Sequence, residues 1–259
     1  MLKKTRKLRI ALLLIILFVV TLNTWLSKIR TTDWDSPLWV SIHPINGDGS
    51  SNTARYIESL TAADFDDVET FFSEEARHYG LALEQPVEIK LAEEVDALPP
   101  QAPVGGGAFD VIIWSLKLRY WAWQHDNYDG PANMQMYVVF HDPEITPHVA
   151  HSTALQKGLV SVVNAFAERK MRRDNNVIIA HEFLHMVGAT DKYDMRNNMP
   201  LYPDGYAEPE KTPLYPQKSA ELMGGRIPIS EDKAAAPQQL GQVLIGETTA
   251  REINWLKSD

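Results

Sequence analysis

The chain has 259 residues, 44% hydrophobic and 23% charged, with a net charge of −9 and no cysteine. The absence of cysteine excludes disulfides, thiolate metal ligands and a cysteine-based latency switch. The charge excludes broad electrostatic affinity for nucleic acid or anionic lipid: without the five cations of residues 1–9, residues 10–259 hold 20 basic against 34 acidic side chains, a net −14.

The N-terminus reads as a cationic tip followed by an apolar run over residues 10–26, broken only by Thr21, Asn23 and Thr24. At 1.5 Å rise per residue this run is about 25 Å long, against a hydrocarbon core of about 30 Å. No small-residue cleavage site follows it. The expectation is therefore an uncleaved, single-pass signal anchor over residues 1–27 in a bacterial-type cytoplasmic membrane, with secretion after cleavage as the alternative. The cationic end stays in the cytoplasm and the remainder lies on the periplasmic or extracellular side. Residues 28–37 read as a linker and residues 38–259 as one domain, large enough for a proper core.

Within that domain, residues 38–42 predict a strand and residues 62–79 a helix with Phe65, Val68, Phe71, Phe72 and Ala76 on one side. Residues 87–91 alternate as a half-buried strand, and residues 98–107, rich in proline and glycine, read as a loop. Residues 109–114, extended towards Trp123, and residues 134–140 predict two further strands. Residues 158–163 fit a fifth strand or the start of a helix. The aromatics between Trp114 and Tyr128 suit a core or an edge better than a cleft. His141-Asp142, His148 and His151 lack the flanking spacing of a second metal site.

The chemistry concentrates at His181-Glu182-Phe183-Leu184-His185. Two imidazoles at i and i+4 on a helix lie about 40° apart in azimuth and lean over one face, where they can share one ion. Glu182 sits beside them, placed to take a proton from water. Gly188 then permits a sharp turn, and Asp191 follows three residues later as a third ligand. Chance explains the H-E-x-x-H spacing poorly, with about 0.02 matches expected in a chain of this composition. Val177, Ile178, Ile179, Phe183, Leu184 and Val187 make the segment apolar on nearly all sides, as in a buried helix. Asp174, Asn175 and Asn176 offer its cap.

This pattern resembles the metzincin zinc metalloproteases, and among them the snapalysin-like group, whose third ligand is an aspartate. Asp191-Lys192-Tyr193 is similar to the D-x-Y of that group, and Ser219-Ala220-Glu221-Leu222-Met223-Gly224-Gly225 to its S-E-L-M-S-G-G segment. The resemblance covers residues 175–225. It implies an α+β zincin fold: a mixed, twisted sheet of about five strands packed on two long helices, an active-site helix, a Met-turn at Met223 and a C-terminal helix, here residues 247–257. It implies one catalytic Zn2+ held by His181, His185 and Asp191, Glu182 as the catalytic proton acceptor, and an extended peptide paired with an edge strand, here residues 134–140. Tyr193 is a candidate to hydrogen-bond into the site. Two features depart from the group: a long insert with five prolines between residues 200 and 216, expected to wall the specificity pocket, and no tyrosine two residues after Met223.

The expected function is zinc-dependent endopeptidase activity on peptide or protein substrates. The competing readings are a membrane-tethered, non-catalytic metal-binding scaffold and a zinc amidohydrolase acting on an envelope component.

Overall fold

The computed structural model describes residues 32–257 apart from positions 104, 106, 151 and 156–158, with Leu14 the one described residue before Thr32. The expected cationic tip and, Leu14 aside, the anchor lie outside the described residues. Among the described residues no helix is long and apolar enough to cross a membrane. From Thr32 onward the expected linker belongs to the fold, because Trp34 is buried edge-on against Trp255 and its indole N–H donates to the Ile253 carbonyl at 2.7 Å.

The architecture is mixed α and β. Five strands, β1 (Leu38–Asn46), β2 (Val87–Leu91), β3 (Met134–His141), β4 (Thr153–Leu155) and β5 (Val160–Phe166), form one sheet in the order β2-β1-β3-β5-β4. All neighbours run parallel except β4, which is antiparallel to β5 at the edge. Strand β1 is almost wholly buried, as befits a strand flanked on both sides in a sheet covered on both faces.

Residues 134–140 therefore form a central strand, not the expected edge. Apart from half-buried Gln135, the run Met134-Gln-Met-Tyr-Val-Val-Phe140 is apolar, the signature of a strand buried on both faces. The edges are β2 and the short β4 instead.

Five α-helices are described: α1 (Ser51–Glu58), α2 (Asp66–His78), α3 (Ala108–Gln124), α4 (Arg172–Val187) and α5 (Glu247–Glu252). The predicted helix over residues 62–79 is present as a 3-10 turn, Ala62–Phe65, leading into α2. Helices α2 and α4 share one face of the sheet and meet through Phe72 and Phe183, whose ring centres are 4.7 Å apart. On this face Met136, Val138, Phe140, Val163 and Ala165 complete the main core.

Helix α3 overturns the expected strand at residues 109–114. Its β-branched and aromatic residues suggested extended structure, yet Trp114, Leu118 and Ala122, four apart, are the residues it buries. Asp110 accepts from the Gly107 N–H at 2.9 Å and closes the first turn. The helix lies on the other face of the sheet, against Tyr137, Val139 and Val160.

Helix α4 begins at Arg172, after a 3-10 turn over Arg169–Met171, not at the expected asparagine cap. Asn175 and Asn176 are buried inside it. The Asn175 amide exchanges hydrogen bonds with the Phe166 backbone at 3.1 and 2.9 Å, and Asn176 donates to the Asp64 carbonyl at 2.9 Å. They clamp the helix onto β5 and the start of α2. The closing helix stops at Glu252, five residues short of expectation, and Asn254 just beyond it adopts a left-handed φ of 63°.

Candidate metal centre

The site begins with the end of α4. Gly188 adopts φ 119°, where a side chain would be strained, and its N–H and that of Ala189 bond back to Leu184. The turn places the Ala189 carbonyl 2.9 Å from Nδ1 of His185. Nδ1 of His181 lies 2.9 Å from the carbonyl of Leu222. A carbonyl only accepts, so both Nδ1 atoms carry the proton, and in each neutral ring the lone pair sits on Nε2.

Both Nε2 atoms converge on Oδ1 of Asp191, at 3.2 Å from His181 and 3.1 Å from His185. That oxygen is buried, and no donor reaches it with hydrogen-bond geometry. Three electron-pair donors are thus packed where they repel one another unless a cation or proton lies between them. The separations suit tetrahedral zinc, for which bonds of about 2.0–2.1 Å put ligand atoms about 3.3 Å apart. Ligand atoms of His181, Glu182 and His185 also lie within 4.8 Å of one another. With its Oδ1 3.2 Å and 3.1 Å from the two Nε2 atoms, Asp191 completes a second candidate trio with the two histidines.

The electrostatics agree with the geometry. Burial opposes charge on Asp191, but the His181 and His185 rings outweigh it and hold its carboxyl far below the ordinary carboxylate range. Burial likewise opposes a charged His185, and Asp191, the Ala189 carbonyl and Glu182 together raise its pKa. Glu182 lines the same cleft as the two rings and is buried, 6% exposed.

Met223, wholly buried, lies in a 3-10 turn over Leu222–Gly224, and the preceding residue supplies the carbonyl that orients His181. Gly224 has no alternative there, because a Cβ would meet the Gly205 carbonyl oxygen at 2.3 Å. Tyr193 lines the same cleft, with its ring 6.4 Å from that of His181. Burial, reinforced by the Asp191 and Glu182 carboxylates, pushes its phenol up to about 12, so it remains a neutral donor across the physiological range.

The supports of Asp191 come from residues distant in sequence. Glu252 on α5 accepts from the Thr190 N–H at 3.0 Å, the Thr190 hydroxyl at 2.6 Å and the Lys192 ammonium at 2.7 Å. Asp191 is held from both sides. Glu221, wholly buried, accepts from the Gly224 and Gly246 N–H groups and the Thr249 hydroxyl, tying the Met223 turn to the start of α5. Only the similarity of the 219–225 segment hinted at Glu221. Nothing in the sequence pointed to Glu252, 61 residues beyond Asp191.

The cleft at the three ligand atoms has a volume of about 710 Å3 and is bordered by β4. A smaller recess of about 300 Å3 opens beside His181, walled by Tyr193 and Asn198 from the insert and by Gly224 to Arg226. The later part of the insert, from Pro203 to Lys211, lines a separate cavity against Tyr79 and the start of α5. Among the second-ion candidates, His141 contacts Asn164 at 3.4 Å, His148 lies in a loop and His151 falls outside the described residues. Set beside known proteins, the chain matches no family model, and no curated protein is similar to it in sequence.

Proposed function

We propose that this protein is a zinc-dependent endopeptidase of metzincin type, with His181, His185 and Asp191 as the metal ligands. The observation that carries the reading is the convergence of two Nδ1-protonated imidazoles and an orphaned carboxylate oxygen within 3.2 Å. A divalent ion held there supplies a Lewis acid that polarises a peptide carbonyl and acidifies water. Glu182 accepts the proton released from water on its carboxylate and delivers it to the leaving amine. Tyr193, neutral and lining the cleft, donates a hydrogen bond to the carbonyl oxygen as charge develops on it, the task for which no tyrosine follows Met223.

The free edge of β4 gives an extended substrate a strand to pair with, in place of the strand first expected at residues 134–140. A five-stranded sheet with α2 and α4 on one face, and a turn at Met223 whose neighbouring Leu222 carbonyl orients His181, support the metzincin reading. The N-terminal cationic and apolar residues support attachment to a membrane, with the domain on its far side.

The test is metal content and peptidase activity of the full chain, side by side with Glu182→Gln. The reading expects about one zinc per chain in both proteins and cleavage of a mixed peptide library by the first alone, blocked by a chelator. A scaffold protein would hold the metal and cleave nothing. An envelope amidohydrolase would leave peptides intact and cut non-peptide amides.

A further inference from the structure

The two faces of the sheet are covered unequally. Helix α3 covers Tyr137, Val139 and Val160 through Trp114, Leu118 and Ala122, whereas His141 at the end of β3 and Val162 and Asn164 along β5 are only partly buried. Over them lies a cavity of about 610 Å3 whose floor is Val139, Val162, His141 and Asn164. One wall is the proline-rich stretch from Leu98 to Pro103, fixed by the Trp114 indole N–H, which donates to the Pro100 carbonyl at 2.8 Å. The remaining wall is the loop carrying Val149 and Ala150.

That loop links the cavity to the candidate metal centre. Val149, Ala150, Thr153 and Asn164 line both spaces, so the second cavity adjoins the cleft where a chain laid along β4 would pass the metal ligands. The two spaces differ in chemistry. The metal cleft offers charged and hydrogen-bonding groups, whereas the second cavity is lined mainly by prolines, valines, alanines, Leu98 and Trp114. Its volume falls in the range of ligand pockets, and its lining matches the apolar walls such pockets use.

We infer that this cavity is a substrate subsite, which takes a bulky apolar side chain, of the leucine, phenylalanine or tryptophan class, from the peptide segment lying beyond β4. The inference rests on the peptidase reading and adds a substrate class to it: polypeptides with an apolar anchor displaced from the scissile bond. Occupation removes the side chain from water and covers Val162, which is only partly buried, both favourable by apolar burial.

The experiment uses the full chain carrying Glu182→Gln and two fluorescent peptides that differ only in one segment, leucine and tryptophan in one and serine and glycine in the other. Fluorescence anisotropy is expected to show the apolar peptide binding about tenfold more tightly. Leu98→Asp, at a 60% exposed position on the cavity wall, is expected to bring the apolar peptide to the affinity of the polar one. Ala102→Trp fills the cavity without charge and is expected to do the same. Equal affinities, no binding of either peptide, or a preference that survives both substitutions overturns the inference. Cleavage measured in parallel with Glu182 intact separates the two claims. A preference that depends on Leu98 with no peptide cut leaves the subsite standing and defeats the hydrolytic reading. Cleavage without preference does the reverse.

Discussion

One face of the sheet carries α1, α2 and α4, the last two locked together by Phe72 and Phe183, and the other carries α3 alone. The more heavily covered face holds His181, His185 and Glu182 on a helix buried on nearly every side. The singly covered face buries only one stripe of its helix and leaves Phe109, Ile112, Leu116, Tyr120 and Trp123 facing outward. The contrast shows where rigidity is concentrated. Ligands whose atoms must converge within about 3 Å need a fully packed support, while a face that only encloses space tolerates loose cover.

Substitutions should respect this division. The largest effect belongs to Glu182→Gln, expected to lower kcat by about 10²–10⁴ while zinc remains bound, as read by kinetics and metal analysis. Phe183→Ala and Leu118→Ala then contrast the two faces directly. Both remove a fully buried side chain, at a cost of about 3–5 and 2–5 kcal/mol in denaturant unfolding. Only Phe183→Ala should also weaken zinc binding, because it lies between the two histidines on α4. Equal loss of zinc affinity in Leu118→Ala would erase the distinction between the faces.

Glu252→Ala tests how the carboxylate ligand is held. It releases Thr190 and leaves the Lys192 ammonium, 5% exposed, without its carboxylate. Zinc affinity should drop about 10–100-fold. Unfolding free energy should fall by about 2–3 kcal/mol, the penalty of an unpaired buried charge discounted for the quarter exposure of Glu252.

The pH dependence has a definite sign. His185 has its pKa raised above 6.5 in the folded, metal-free protein, so its contribution to stability is complete below 6.5 and is lost as pH rises through the folded value. A ligand must shed its proton to bind metal, so zinc affinity should weaken as pH falls below that raised value, approaching about tenfold per unit. Calorimetric titrations at several pH values measure it. Tyr193→Phe, the mildest of these changes, should lower kcat by about tenfold with KM nearly constant.

Much of the centre was legible because helical periodicity and one glycine act locally. His181, Glu182, His185 and Gly188 lie within about two turns at the end of one helix and need no tertiary contact to be read, and Asp191 follows within a few residues. Strands β2 and β3 were legible for the same reason, as runs of apolar alternation or continuity. What escaped depended on distant partners. Residues 109–123 have strand-like composition, and only the sheet face they cover shows that Trp114, Leu118 and Ala122 are a helical stripe. Strand order is a global property, so the edge passed from residues 134–140 to the short β4. Glu252 and the Leu222 carbonyl support the site from elements far along the chain, and no local pattern announces them.

The most direct test of the centre is zinc binding by the full chain, measured by calorimetry alongside Asp191→Ala. The account predicts a single site in the unsubstituted protein and at least about 100-fold weaker binding once the third ligand is removed, with the fold retained by circular dichroism. Zinc bound equally well by Asp191→Ala, or no zinc bound by the unsubstituted chain, would contradict it.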